Sequence, residues 1–218
     1  MMQADKTDLD QFSEALWAQL AEQGWARLSL AEAAARAGMP ADEAWQAGSK
    51  LSVILNRLRQ MESEWLAALA ADFADAGEAS IQEKLLEGLM QRFEFLAPHR
   101  AQFDALHRAS FTDPLLAASL GLQLYEALDT LLALCGDGAG SSGSERAGEL
   151  RRRLRVKGLV GVCLRVRPVW QKDDSQSLER TLKKLDKSLG EARDWAVSLR
   201  ILRPQPATGE ADDAGTYR

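Results

Sequence analysis

The sequence predicts an all-α fold, and three observations carry that prediction. Ala, Leu, Glu, Gln and Arg dominate throughout, and these residues lose little on entering a helix. Dense β-branched runs bounded by turn residues are missing, so no strand is expected. Apolar residues recur at three- and four-residue spacing in one segment after another, which is the helical period. The chain has 218 residues, 46% of them apolar and 27% charged, which suits a folded protein with a sizeable buried core.

The elements follow in order. Residues 8–23 place Phe12, Ala15, Leu16, Gln19 and Leu20 near one face, and Gly24 is the expected stop. Ser29 and Glu32 are spaced to form a capping box for a short helix through Ala37, ended by Gly38. A second short helix spans 41–47, Gly48 and Ser49 break it, and a long segment runs through Ala71. Ile81, Leu85, Leu89, Phe93 and Leu96 then recur at helical spacing, with a domain boundary expected within 72–80. Pro98 fits the first turn of the next helix, and Asp113-Pro114 fits the start of another reaching Leu134. The polar stretch CGDGAGSSGS, 135–144, reads as a surface loop before a final helical pair, 145–171 and 175–200. The division expected is a helix-turn-helix domain over 1–72, a helical domain over 73–202 and a disordered tail over 203–218.

Charge and residue inventory exclude several function classes. A net charge of −5 gives the whole molecule no general attraction for polyanions, so nucleic-acid binding would need a local basic face. Cys135 and Cys163 are too few for a disulfide framework, and no Cys/His cluster has metal-ligand spacing. His99 and His107, eight residues apart, could share a helix face but could not hold a metal alone. No nucleophile with an adjacent base and no phosphate-binding loop can be assembled, so no catalytic residue and no cofactor is expected. The first residues, MMQADKTDLD, lack the pattern of a signal peptide, and no run reads as long enough to span a bilayer. A cytoplasmic protein without stable membrane insertion is the expectation.

A short capped helix, a glycine turn and a second short helix have the spacing of a helix-turn-helix. The segment SLAEAAARAGMPADEAW follows a helix ending in Gly24-Trp25 and precedes Ser49-Lys50. With Ala33, Ala37 and Gly38, these residues resemble the DNA-binding domain of the TetR family of transcriptional regulators. The resemblance implies a ligand-binding and dimerising C-terminal domain, and a recognition helix over 41–47. It assigns DNA contacts to Arg27, Ser29, Arg36, Trp45, Gln46 and Lys50. The recognition helix departs from the family, which usually offers basic, hydroxyl and tyrosine side chains where this sequence has Ala41, Asp42, Glu43 and Ala44. Residues 1–60 hold six basic and eight acidic side chains, a poor balance for phosphate neutralisation.

A second likeness lies further along. The segments QRFEFLAPHR and VWQKDDSQSLERTLKKLDKSL resemble TetR-fold lipid-binding proteins of the Coq type, which serve ubiquinone biosynthesis and bind lipid rather than operator DNA. Arg92, Phe93, Leu96, Pro98, Trp170, Asp173, Asp174, Ser175, Thr181, Leu182, Leu185 and Asp186 carry it. Two functions therefore stand: a regulator with a small apolar effector and operator DNA as partner, or a lipid-binding accessory protein.

For either, Met90, Phe93, Phe103, Leu106, Phe111, Leu124, Tyr125 and Leu128 lie on three successive apolar helices. They line a ligand cavity or simply form core. Arg151, Arg152, Arg153, Arg155 and Lys157 form a solvated basic face or an anion patch. Gly158, Gly161 and Leu164, with Leu182, Leu185 and Leu189 on the next helix, suit half of a four-helix homodimer interface or packing within one subunit.

Overall fold

The computed structural model describes residues 6–75, 79–136 and 145–198. All regular elements among them are helical: α1 (Lys6–Gln23), α2 (Leu30–Ala37), α3 (Ala41–Gln46), α4 (Lys50–Asp75), α5 (Ile81–Leu96), α6 (Arg100–Ser110), α7 (Pro114–Leu134), α8 (Glu145–Trp170) and α9 (Glu179–Ser198). Single 3-10 turns at Trp25–Arg27 and Ala97–His99 lead into α2 and α6. The all-α expectation holds. Most of the low-complexity segment, the tail and the expected end of the last helix at Arg200 lie outside the described residues.

The N-terminal helices close around α1, which buries Phe12, Leu16, Trp17 and Leu20 against α2, α4 and α6. Ser29 caps α2 as its spacing suggests, its Oγ accepting from the Glu32 backbone N–H at 3.3 Å. The reciprocal half of the expected capping box does not form. Instead the Ser29 N–H donates to Oε1 of buried Gln19 on α1 at 3.1 Å, and Glu32 accepts from Gln23 and Arg36. A complete capping box occurs at Ser80 and Glu83, opening α5. Gly38 ends α2 with φ of 68°, the left-handed conformation that favours glycine at a helix end.

α4 runs to Asp75, past the Ala71 expected from sequence, and packs on α1 at one end and on α5 and α7 further along. α5 approaches closely at Gly88, where a Cβ would lie 2.7 Å from Leu131 Cδ1 of α7 and 3.0 Å from Leu69 Cδ2 of α4. Asp113 caps α7 through the Leu116 N–H at 3.0 Å, and Pro114 occupies its first turn. α7 is 21 residues long with a mean hydropathy of 1.2, long and apolar enough by composition to cross a bilayer, contrary to the sequence expectation. It packs against α4, α6 and α8, burying Leu116, Ala127, Leu128, Leu131 and Leu132.

α8 and α9 form a helical hairpin. α9 begins at Glu179, later than the expected 175, because a long-range set of bonds ties 171–178 into a corner. The Asp173 carboxylate accepts from the backbone and hydroxyl of both Ser175 and Thr181, at 2.6–3.3 Å. Leu178 there takes a φ of 49°, unusual for a side chain of its size. Trp17, Trp65 and Trp170 are each only 2% exposed in the core, whereas Trp45 is 68% exposed and Trp195 71%.

Candidate functional site

Five helices, α4 to α8, enclose a cavity of about 270 Å³. α4 contributes Leu58 and Glu62, α5 contributes Arg92, Phe93 and Leu96, and α6 contributes Phe103, Leu106, His107 and Ser110. α7 adds Leu120, Gly121, Gln123 and Leu124, and α8 adds Val160, Cys163, Leu164, Arg167 and Trp170. Gly121 and Leu164 are exposed, so the mouth lies between α7 and α8. The aromatic wall is built edge-on: Trp170 lies 5.7 Å from Phe93 and 6.3 Å from Phe103 between ring centres, and its indole N–H donates to the Phe93 carbonyl at 2.9 Å.

Of the eight apolar residues singled out in the sequence, Phe93, Phe103, Leu106 and Leu124 line this cavity. Met90 and Leu128 are buried in the surrounding core, and half-buried Tyr125 also stands outside the lining. Phe111 is 77% exposed. It follows the last residue of α6 and turns outward, its ring 4.9 Å from that of His107.

The polar part of the lining was missed. Arg92 donates through Nε to Glu62 Oε2 at 3.1 Å and through Nη2 to Glu62 Oε1, a two-pronged ion pair with both side chains mostly buried. Burial opposes the Arg92 charge, and Glu62 more than offsets it, so the guanidinium stays above its ordinary pKa. The neighbouring Cys163 thiol is pushed up to about 11 by burial and is a neutral wall group. Nearer the rim, burial and then the charge of Arg167 hold His107 below its ordinary pKa. Glu62 and Arg92 are 30 positions apart, so neither carries a local signal that its charge turns inward. Among the described residues no group of three or more His, Cys, Asp or Glu side chains is placed to hold a metal.

The helix-turn-helix face is a different environment. Trp45, Gln46 and Arg27 are exposed. Ser29 is occupied as the α2 cap. Arg36 pairs with Glu22 and Glu32, each at 2.9 Å. Lys50 donates to the Trp25 carbonyl at 3.0 Å and sits 4.8 Å above the Trp25 ring. The Trp25 indole in turn donates to Asp113 Oδ2 at 3.2 Å, joining this face to the start of α7. The first turn of α3 carries Asp42 and Glu43.

The residues singled out for self-association divide in two. Leu185 and Leu189 are buried within the chain, whereas Gly158, Gly161, Leu164 and Leu182 are exposed. With Leu150 and Leu154, which are also exposed, the α8 members form a stripe opposite the buried Val156, Leu159, Val162 and Val166. A Cβ added at Gly158 or Gly161 would meet nothing within 4 Å. Comparison with known proteins finds no matching family model and no matching curated sequence.

Proposed function

We propose that this protein is a TetR-like helical carrier of a small, mostly apolar ligand, close in kind to the Coq-type lipid-binding proteins, and that its helix-turn-helix has lost operator recognition. The cavity is the observation that carries this reading. Its volume of about 270 Å³ exceeds the roughly 150 Å³ that suffices to hold benzene in an engineered protein cavity. Apolar side chains from five helices with a few polar groups among them are the usual make-up of a small-molecule site.

The loss of operator recognition follows from what the basic groups are doing. Arg36 and Lys50 are engaged by carboxylates and a backbone carbonyl, and phosphates would have to compete for them. Asp42 and Glu43 place negative charge at the end of α3 that would otherwise favour phosphate. The regulator reading keeps one observation in its favour. The left-handed turn at Gly38 sets α2 and α3 as a helix-turn-helix with Gln46 exposed, and Gln can pair with adenine.

The carrier functions as a dimer through the α8 stripe. Leu154 and Leu164 lie about equally far on either side of the Gly158–Gly161 segment, so an antiparallel second copy crossing there would set Leu154 of each protomer near Leu164 of the other. Native mass spectrometry of the freshly purified protein tests subunit number and retained ligand together. A dimer with a bound lipid-sized mass is expected, and a bare monomer that also takes up no apolar ligand sinks the proposal. Selection from a random DNA pool at low salt tests the alternative. An enriched motif would establish the regulator in place of the carrier.

A further inference from the structure

The inner end of the cavity is polar yet neutral overall, and one of its acceptors is unsatisfied. Glu62 and Arg92 compensate each other's charge there. Gln123 on α7 donates through Nε2 to the Leu55 carbonyl of α4 at 2.7 Å. That bond fixes the amide orientation, because a carbonyl oxygen can only accept. The other end of the same amide, Oε1, is buried and accepts no hydrogen bond. A buried acceptor without a donor bears its full desolvation penalty, so a guest that supplies a donor gains what the empty protein lacks. Arg92 meets Glu62 through Nε and Nη2, which leaves Nη1 as a donor beside the same space.

We infer that the cavity takes an uncharged single-chain amphiphile with a hydroxyl head, the hydroxyl donating to Gln123 Oε1 and accepting from Arg92. The inference rests on the cavity being the ligand site. A carboxylate head suits the same place poorly. It has no proton for Gln123, and it sets a second negative charge beside Glu62, where Arg92 is already neutralised and the low dielectric strengthens the repulsion. The tail then runs along Phe93, Phe103 and Leu124 towards the mouth at Gly121 and Leu164. At about 30 Å³ per small group, a volume of about 270 Å³ admits roughly nine non-hydrogen atoms, the size of 1-octanol.

Calorimetric titration of the full chain with 1-octanol, octanoate and toluene at pH 8 tests this. Octanol should bind about tenfold or more tightly than octanoate. Gln123→Leu should weaken octanol about tenfold and leave toluene, which has no polar head, unchanged. Gln123→Met, closer to glutamine in shape, gives the same readout should leucine disturb the packing. Octanoate binding as well as octanol, or an octanol affinity indifferent to both Gln123 variants, overturns the inference while toluene binding keeps the cavity as a ligand site. If toluene and octanol both fail to bind the wild type, the carrier reading falls and takes this inference with it.

Discussion

Asp173 illustrates how much one side chain decides. It is 1% exposed and accepts four hydrogen bonds, from Ser175 and Thr181. Burial alone would raise its pKa, but the bonds from Ser175 and Thr181 outweigh burial and hold the carboxyl far below its ordinary value. A carboxylate with a depressed folded pKa contributes stability that is fully present above its unfolded value, near 3.9, and is lost as the pH falls below it. Asp173→Asn replaces acceptors with N–H donors facing other donors. A loss of about 3 kcal/mol in urea unfolding at pH 7 is expected, shrinking as the pH approaches 3. The same corner gathers both segments that carried the second resemblance, with Arg100 donating to the Asp173 carbonyl at 2.7 Å and Trp170 to the Phe93 carbonyl. The sequence offered these residues as a motif but gave no hint that they meet, because they lie more than 70 positions apart.

At the level of elements, the helices were legible wherever their ends are set locally. Asp113-Pro114 starts α7, and Gly38 ends α2, at the positions their chemistry demands. Legibility failed where a distant partner sets the end, as Gln19 does for α2 and Asp173 for α9. The faces of α8 were read correctly as two-sided only in part, since Leu185 and Leu189, assigned to a second copy, are consumed by the chain's own core. Gly161 separates fold from assembly. Because a Cβ there meets nothing within 4 Å, Gly161→Ala should raise the unfolding free energy by up to about 1 kcal/mol through helix propensity alone. Gly161→Arg should leave the circular dichroism of the monomer intact yet halve the mass seen in sedimentation. Unchanged sedimentation of the arginine variant would place any dimer contact elsewhere.

Across the whole molecule, two indoles join the N-terminal helices to the cavity helices. Trp17 on α1 donates to Nδ1 of His99 at 3.2 Å, and Trp25 donates to Asp113 at the head of α7. The first bond needs an unprotonated Nδ1. Burial, followed by the nearby charge of Arg57, holds His99 below its ordinary pKa and so favours the neutral ring. The stabilisation is therefore present above the unfolded value, near 6.5, and fades as the pH drops below it. Amide exchange along α1 should quicken between pH 7.5 and 5.5, after correction for intrinsic rates, and His99→Phe should abolish that pH dependence. The cavity was only half legible for a related reason. Helical period identifies an apolar face, but whether a residue on it borders a void or fills the core depends on the depth at which five helices meet, as the different placements of Phe93 and Met90 attest.

The uneven burial of the six tryptophans gives the protein its own optical probes. Trp45 at 68% exposure stands on α3, Trp195 at 71% stands on α9, and Trp170, at 2%, forms part of the cavity wall. A neutral collisional quencher such as acrylamide should first extinguish the red-shifted emission of the two exposed rings and leave a blue-shifted component. A guest in the cavity should then change that surviving blue band, whereas DNA contact would shield Trp45 within the red one. A single emission spectrum, resolved by quenching, would thus separate the two candidate activities without a label.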